Sequence, residues 1–95
     1  MAVAVLRAVL PVAQTVAAVR GATAEIVVLI VGDDLPAVER VMLIAALAPL
    51  AIERAPAGRL CAIDLASAAD PADVDAAIAF LTDASSTTGQ VLAVG

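Results

Sequence analysis

Ninety-five residues with five arginines, no lysine or histidine and a formal charge of −5 leave room for one small domain, residues 1–95. They exclude a nucleic-acid binder, which needs a basic face and stacking aromatics; Phe80 is the only aromatic residue. Hydrophobic residues make up 63% of the chain, against about 45–50% in an ordinary domain, a surplus that points to a partner or a membrane.

Taken in order, residues 2–19 read as a helix rich in Ala, Val and Leu, stopped by Arg20-Gly21. Glu25 to Val31 is a β-branched run with no wet face, the pattern of a central parallel strand. Gly32-Asp33-Asp34-Leu35-Pro36 breaks it: Asp34 is suited to cap, and Pro36 to open a helix. A second helix is expected over 36–55, with Glu39 and Arg54 placed as its dipole favours and Pro49 set to kink it or free one carbonyl. Ala57-Gly58 closes it, and Arg59 to Asp64 is a short strand. Asp70, Pro71 and Asp73 start a third helix, and Asp83 to Gly89 is a polar turn before a last strand, Gln90 to Val94. The expected fold is α/β, a small three-stranded parallel sheet with crossover helices, with Glu25 to Val31 at one edge.

Both of the first two helices are apolar nearly all round. Val3, Leu6, Leu10 and Ala13 define one side of the first, and Val5, Val9, Val12 and Val16 the other. In the second, Val38, Val41, Ala45 and Ile52 oppose Met42, Leu43, Leu47 and Leu50. A helix without a polar face is buried, so Leu6, Leu10, Val16, Val41, Leu43, Leu47 and Leu50 are the candidate interface residues. No membrane span is expected, because the charge-free stretch between Arg40 and Glu53 has only 12 residues and contains Pro49, well short of the roughly 20 a span requires. Lone Cys61 excludes an internal disulfide and fits the reducing cytoplasm. It reads as a small buried hydrophobe, since no His or Lys is available to activate it.

The tail carries a family likeness. Asp70-Pro71-Ala72-Asp73-Val74-Asp75-Ala76-Ala77-Ile78-Ala79-Phe80-Leu81-Thr82, followed by Thr88-Gly89-Gln90-Val91-Leu92-Ala93-Val94, resembles the last helix and strand of the short-chain dehydrogenase/reductase family, ketoreductase-like members included. Upstream, Arg7-Ala8-Val9-Leu10-Pro11 is similar to the family's fourth helix and Glu25 to Val31 to its fifth strand. Ala48 to Pro56 resembles the end of its fifth helix, and Arg59 to Asp64 its sixth strand. The resemblance covers the C-terminal half of such a protein and implies a truncated, Rossmann-like half domain.

The departures from the family carry the functional expectation. Its glycine-rich cofactor loop has no counterpart here, and Gly32 alone does not make one. Its catalytic Ser falls near Ile30 to Gly32, where no hydroxyl stands. Its Tyr-x-x-x-Lys, counted back from Glu53, lands on Pro36 and Arg40; a proline has no proton to give and an arginine stays charged. No catalytic, cofactor-binding or metal residue is therefore expected, and no cofactor. Asp33 and Asp34 have the oxygen donors of a Mg²⁺ site, but capping and a solvated turn account for them. Ser85, Ser86, Thr87 and Thr88 need no more than a polar turn.

Three functions remain. The first is a non-catalytic, truncated reductase-like protein that associates through helices 2–19 and 36–55, with a full-length reductase or with itself. The family resemblance implies such contacts, because its fourth and fifth helices pack against the same pair of a second subunit. The second is a small α/β module holding an apolar ligand such as an acyl chain. The third is a remodelled fragment with no function of its own.

Overall fold

The most apolar run of the chain, Ile26–Val31, is a strand in which all six residues are buried. Such a strand needs a pairing neighbour on each edge and cover on each face, and the rest of the fold supplies them. A computed structural model describes residues 2–84 and 86–95. In chain order the elements are β1 (Val3–Arg7), α1 (Val12–Gly21), β2 (Ile26–Val31), α2 (Ala37–Arg54), β3 (Arg59–Leu65), α3 (Pro71–Asp83) and β4 (Val91–Val94). The four strands form one parallel sheet in sequence order, β1-β2-β3-β4.

The sheet therefore has four strands rather than three, and the expected helix over 2–19 is two elements. Val3 to Arg7 is a strand, Ala8 to Pro11 a connector, and only Val12–Gly21 is helical. An apolar run this short fits either period; pairing with the otherwise open edge of β2 decides for strand. Arg7 to Pro11, likened above to the family's fourth helix, lies at the end of β1 and in the connector. There Thr15 Oγ1 accepts from Val9 N at 2.8 Å and donates to Val9 O at 2.7 Å, closing the turn onto α1. β2 is accordingly an inner strand, not an edge; the edges are β1 and β4.

Alternation across the pleat sorts the core into two layers. Val27, Leu29, Val31, Leu60 and Ala62 meet Val19 of α1 and Leu43, Leu47, Leu50 and Ala51 of α2. Ile26, Val28, Cys61 and Ile63 meet Ala77 and Leu81 of α3 on the other side. The strand order advances in one direction while α3 sits on the opposite face from α1 and α2. The β3-α3-β4 crossover thus has the opposite hand to the two before it, a departure from the usual single hand. The arrangement covers β2 and β3 on both faces. It leaves Val3 and Val5 of β1, on the α3 side, and Val91 of β4, on the α2 side, at 38–46% exposure.

Two helix ends are closed by arginine side chains. Arg54, in the last turn of α2, donates Nη1 to Val19 O and Ala22 O, each at 3.1 Å, and Nη2 to Ala24 O at 2.6 Å. It thereby ties α2 to the carbonyl end of α1. Arg59, at the start of β3, donates to Leu81 O, Thr82 O and Ala84 O at the end of α3. Gly58 lies between them; a Cβ there would come within 3.2 Å of Arg54 Nη2 and 3.3 Å of Glu25 O.

At the helix starts, Asp70 caps α3 as expected, accepting from Ala72 N at 2.9 Å. Asp34 does not cap α2: its N-cap position is Pro36, with no side-chain cap. Pro49 lies inside α2 without ending it. Gly89 has φ +72°, a left-handed conformation that favours glycine, with Ala51 Cβ 3.7 Å from where a side chain would begin.

Replacing Arg54 by Lys keeps the charge but removes the planar fork that reaches three carbonyls. The substitution is expected to cost about 2 kcal/mol of unfolding free energy, the scale of a hydrogen bond to a charged group. Urea denaturation checks this, and a loss below about 0.5 kcal/mol, the range of an ordinary surface substitution, would show that the clamp contributes little.

Candidate functional site

In an open parallel sheet, ligands bind beyond the carboxyl ends of the strands. At that edge a cleft of about 370 Å³ is lined by Asp33 after β2, Arg40 of α2, Asp64, Ala66 and Ser67 at and beyond the end of β3, and Ala93 to Gly95. Arg40 and Asp64 form an ion pair across it, Nη2 donating to Oδ1. Both side chains are about one-third exposed. Arg40 Nε is buried without a partner among the described residues. Asp33 and Asp34 are exposed. Asp34 folds back over the turn, so that a Cβ on Gly32 would collide with its Oδ1. No group of acidic or cysteine side chains that could hold a metal ion occurs among the described residues.

The second feature is the outward surface of α2. Val38, Val41, Met42 and Ile52 are 50–75% exposed, and Ala45, Ala48 and Pro49 between them are exposed too. These residues form a single stripe with the spacing of one helix face. The opposite face, Leu43, Leu47, Leu50 and Ala51, is buried in the core. Beside it, on α1, Ala13, Ala17 and Ala18 are exposed. At the end of this surface Arg20 grips Glu53 through two 3.0 Å hydrogen bonds. That contact raises the Arg20 pKa and lowers that of Glu53.

The sequence profile of the SDR-like family, described as short chain dehydrogenase-like protein, matches residues 2–94. The chain belongs to that family. No curated protein and no solved structure matches it. Among its described residues no helix is long and apolar enough to cross a membrane.

Of the interface residues expected for this SDR-like chain, Val41 and Leu10 are exposed, at 66% and 43%. Leu6 and Val16 are half-buried against the core. Leu43, Leu47 and Leu50 are corrected: at 2%, 1% and 6% exposure they are core residues of the chain itself. Periodicity located both apolar faces of α2 but grouped Met42, which is exposed, with Leu43, Leu47 and Leu50, which are buried, and offered those three leucines to a partner. Sequence reading also missed the partner of Arg40, because Asp64 ends a strand 24 positions away and nothing local marks it.

The hydroxyl turn has structural duties. Thr88 Oγ1 accepts from Leu60 N at 3.1 Å, and Cys61 Sγ donates to Thr87 O at 3.6 Å; Ser85 lies outside the described residues. Cys61 is 1% exposed, and burial pushes its thiol pKa up, so the nucleophilic thiolate is disfavoured. The native protein is expected to leave Cys61 unmodified by a disulfide reagent over minutes and to release one thiol on unfolding. Stoichiometric reaction in the native state would contradict the burial.

Proposed function

We propose that this short chain dehydrogenase-like protein is non-catalytic and works by association, the apolar outward face of α2 being its working surface. The observation that carries the reading is that stripe. Val38, Val41, Met42 and Ile52 stand in water at 50–75% exposure, on a helix whose other face already fills the core. Covering four such side chains on each of two partners is worth on the order of 10 kcal/mol, within the range of the cost of immobilising two chains. The partner is another copy or a full-length relative, making this chain a stabilising or accessory subunit of the cytoplasm.

The residues at the cleft are unsuited to the family's chemistry. Pro36 and Arg40 stand where the family resemblance places its Tyr and Lys, and Arg40 is engaged by Asp64. The turn after β2 offers two carboxylates, with Asp34 folded over Gly32, which repel a pyrophosphate rather than cradle one. The residues here do not fit a nicotinamide dinucleotide, and the Rossmann-like topology serves as a scaffold. The apolar-ligand alternative has one feature in its favour, a surface cleft of about 340 Å³ lined by Phe80, Leu81, Val91 and Leu92 with Ser86, Thr87 and Thr88. Its hydroxyl-bearing rim and open position make it a weaker carrier than the α2 stripe.

Val41→Glu is expected to dissociate the assembly while retaining the helical circular-dichroism spectrum, because Val41 touches no core. Leu47→Glu is expected to unfold the protomer. Native mass spectrometry distinguishes the two; a wild-type monomer, unaffected by Val41→Glu, would refute the association. Calorimetric titration with NADPH is expected to show no binding, and micromolar affinity would overturn the non-catalytic reading.

A further inference from the structure

β4 is an edge strand with a groove beside it. Ala62 N donates to Gln90 O and Ala66 N to Val94 O, and a parallel ladder bonds to one neighbour through alternate residues. Val91 and Ala93 therefore direct their N–H and C=O groups away from β3, to the side where the sheet ends. The strand reads Val-Leu-Ala-Val, without the charge or proline that usually blocks an open edge.

Between this edge and α3 lies the cleft of about 340 Å³. Leu92, which packs with the α3 side of the core, lines it from the sheet. Phe80, the chain's only aromatic residue, lines it from the helix and is 62% exposed. On a strand added next to β4, a side chain on the same face as Leu92 falls into this cleft. Open backbone groups beside a pocket for alternate side chains are the geometry of strand addition. An acyl chain would fill the pocket and leave Val91 and Ala93 to water.

Charge narrows the occupant. α3 carries Asp73, Asp75 and Asp83, all exposed, and no basic residue. Asp73 lies seven positions before Phe80 and so on the same helix face, about 10 Å along the axis. Same-face residues of a strand are about 7 Å apart, so a lysine two positions from the residue in the cleft reaches Asp73. Arg59 comes to the end of α3 from β3, but Leu81 O, Thr82 O and Ala84 O engage it. A second copy joined edge to edge would set α3 against its own three carboxylates.

We infer that the groove between β4 and α3 takes an extended, basic segment of another protein, added as a fifth strand. An apolar side chain of that segment fills the cleft and a basic one meets Asp73. This surface is separate from the outer stripe of α2, and the inference goes beyond the association reading.

The probe is a capped heptapeptide, Thr-Lys-Val-Leu-Val-Lys-Thr, which reads the same in either strand direction. Titrated into the isotope-labelled full chain, it is expected to shift the amide resonances of Val91 and Ala93 and to slow their hydrogen exchange, which is fast without it. Phe80→Ala and Asp73→Lys, both at exposed positions and checked for folding by circular dichroism, are each expected to weaken binding about tenfold, the scale of one lost anchor. N-methylation of the central Leu removes the ladder bonds of a parallel addition, and N-methylation of both Val residues those of an antiparallel one. One of these two peptides is expected not to bind. No binding at millimolar peptide, or undiminished binding by both methylated peptides, overturns the inference. So do shifts confined to the outer face of α2, which would leave the association surface as the site. Slow exchange at Val91 and Ala93 without peptide, increasing with protein concentration, gives the edge to a second copy and overturns it too.

Discussion

Everything in this fold is arranged around a strand that has no wet side. β2 buries all six residues, and a parallel strand of that kind is stable only with hydrogen-bonded neighbours on both edges and helices on both faces. In 95 residues the requirement consumes nearly every element. β1 and β3 take the edges, α1 and α2 one face, α3 the other. Moving α3 to the opposite face from its predecessors, at the cost of an unusual crossover hand, is what allows three helices to dry both sides of β2 and β3. The outward side of α2 and Val3 and Val5 of β1 stay exposed.

The arginines make so small a unit hold together. Arg54 and Arg59 each bridge a strand or helix end to three carbonyls of a neighbouring element, satisfying acceptors that a helix terminus leaves open. A planar fork does this and an ammonium does not, which gives the lack of lysine a structural meaning. Arg20 binds Glu53 and Arg40 binds Asp64. Four of the five cations are thus engaged internally, and the long middle of α2's outer stripe carries no charge.

Much of this was legible in the sequence. β2 to β4, α2 and α3 follow from β-branched runs, helical periodicity and turn residues, and Asp70 advertised its cap. The first twenty residues did not yield, because Ala and Val alternate too loosely to separate a five-residue strand from a helix; the neighbour that settles the matter, β2, lies 23 positions on in register. Likewise Leu43 and Met42 are adjacent and equally apolar, and only the core shows that one faces in and the other out. Arg54 was legible as a favourable charge at a helix end, but not as a fork reaching residues 30–35 positions earlier.

On the proposed reading, the exposed apolar face of α2 couples folding to association, so the most direct test is thermal unfolding over a range of protein concentrations. The account predicts a midpoint that rises with concentration from sub-micromolar to hundreds of micromolar, as mass action requires when only the folded form associates. A midpoint independent of concentration, in a chain that sediments as a folded monomer throughout, would contradict it.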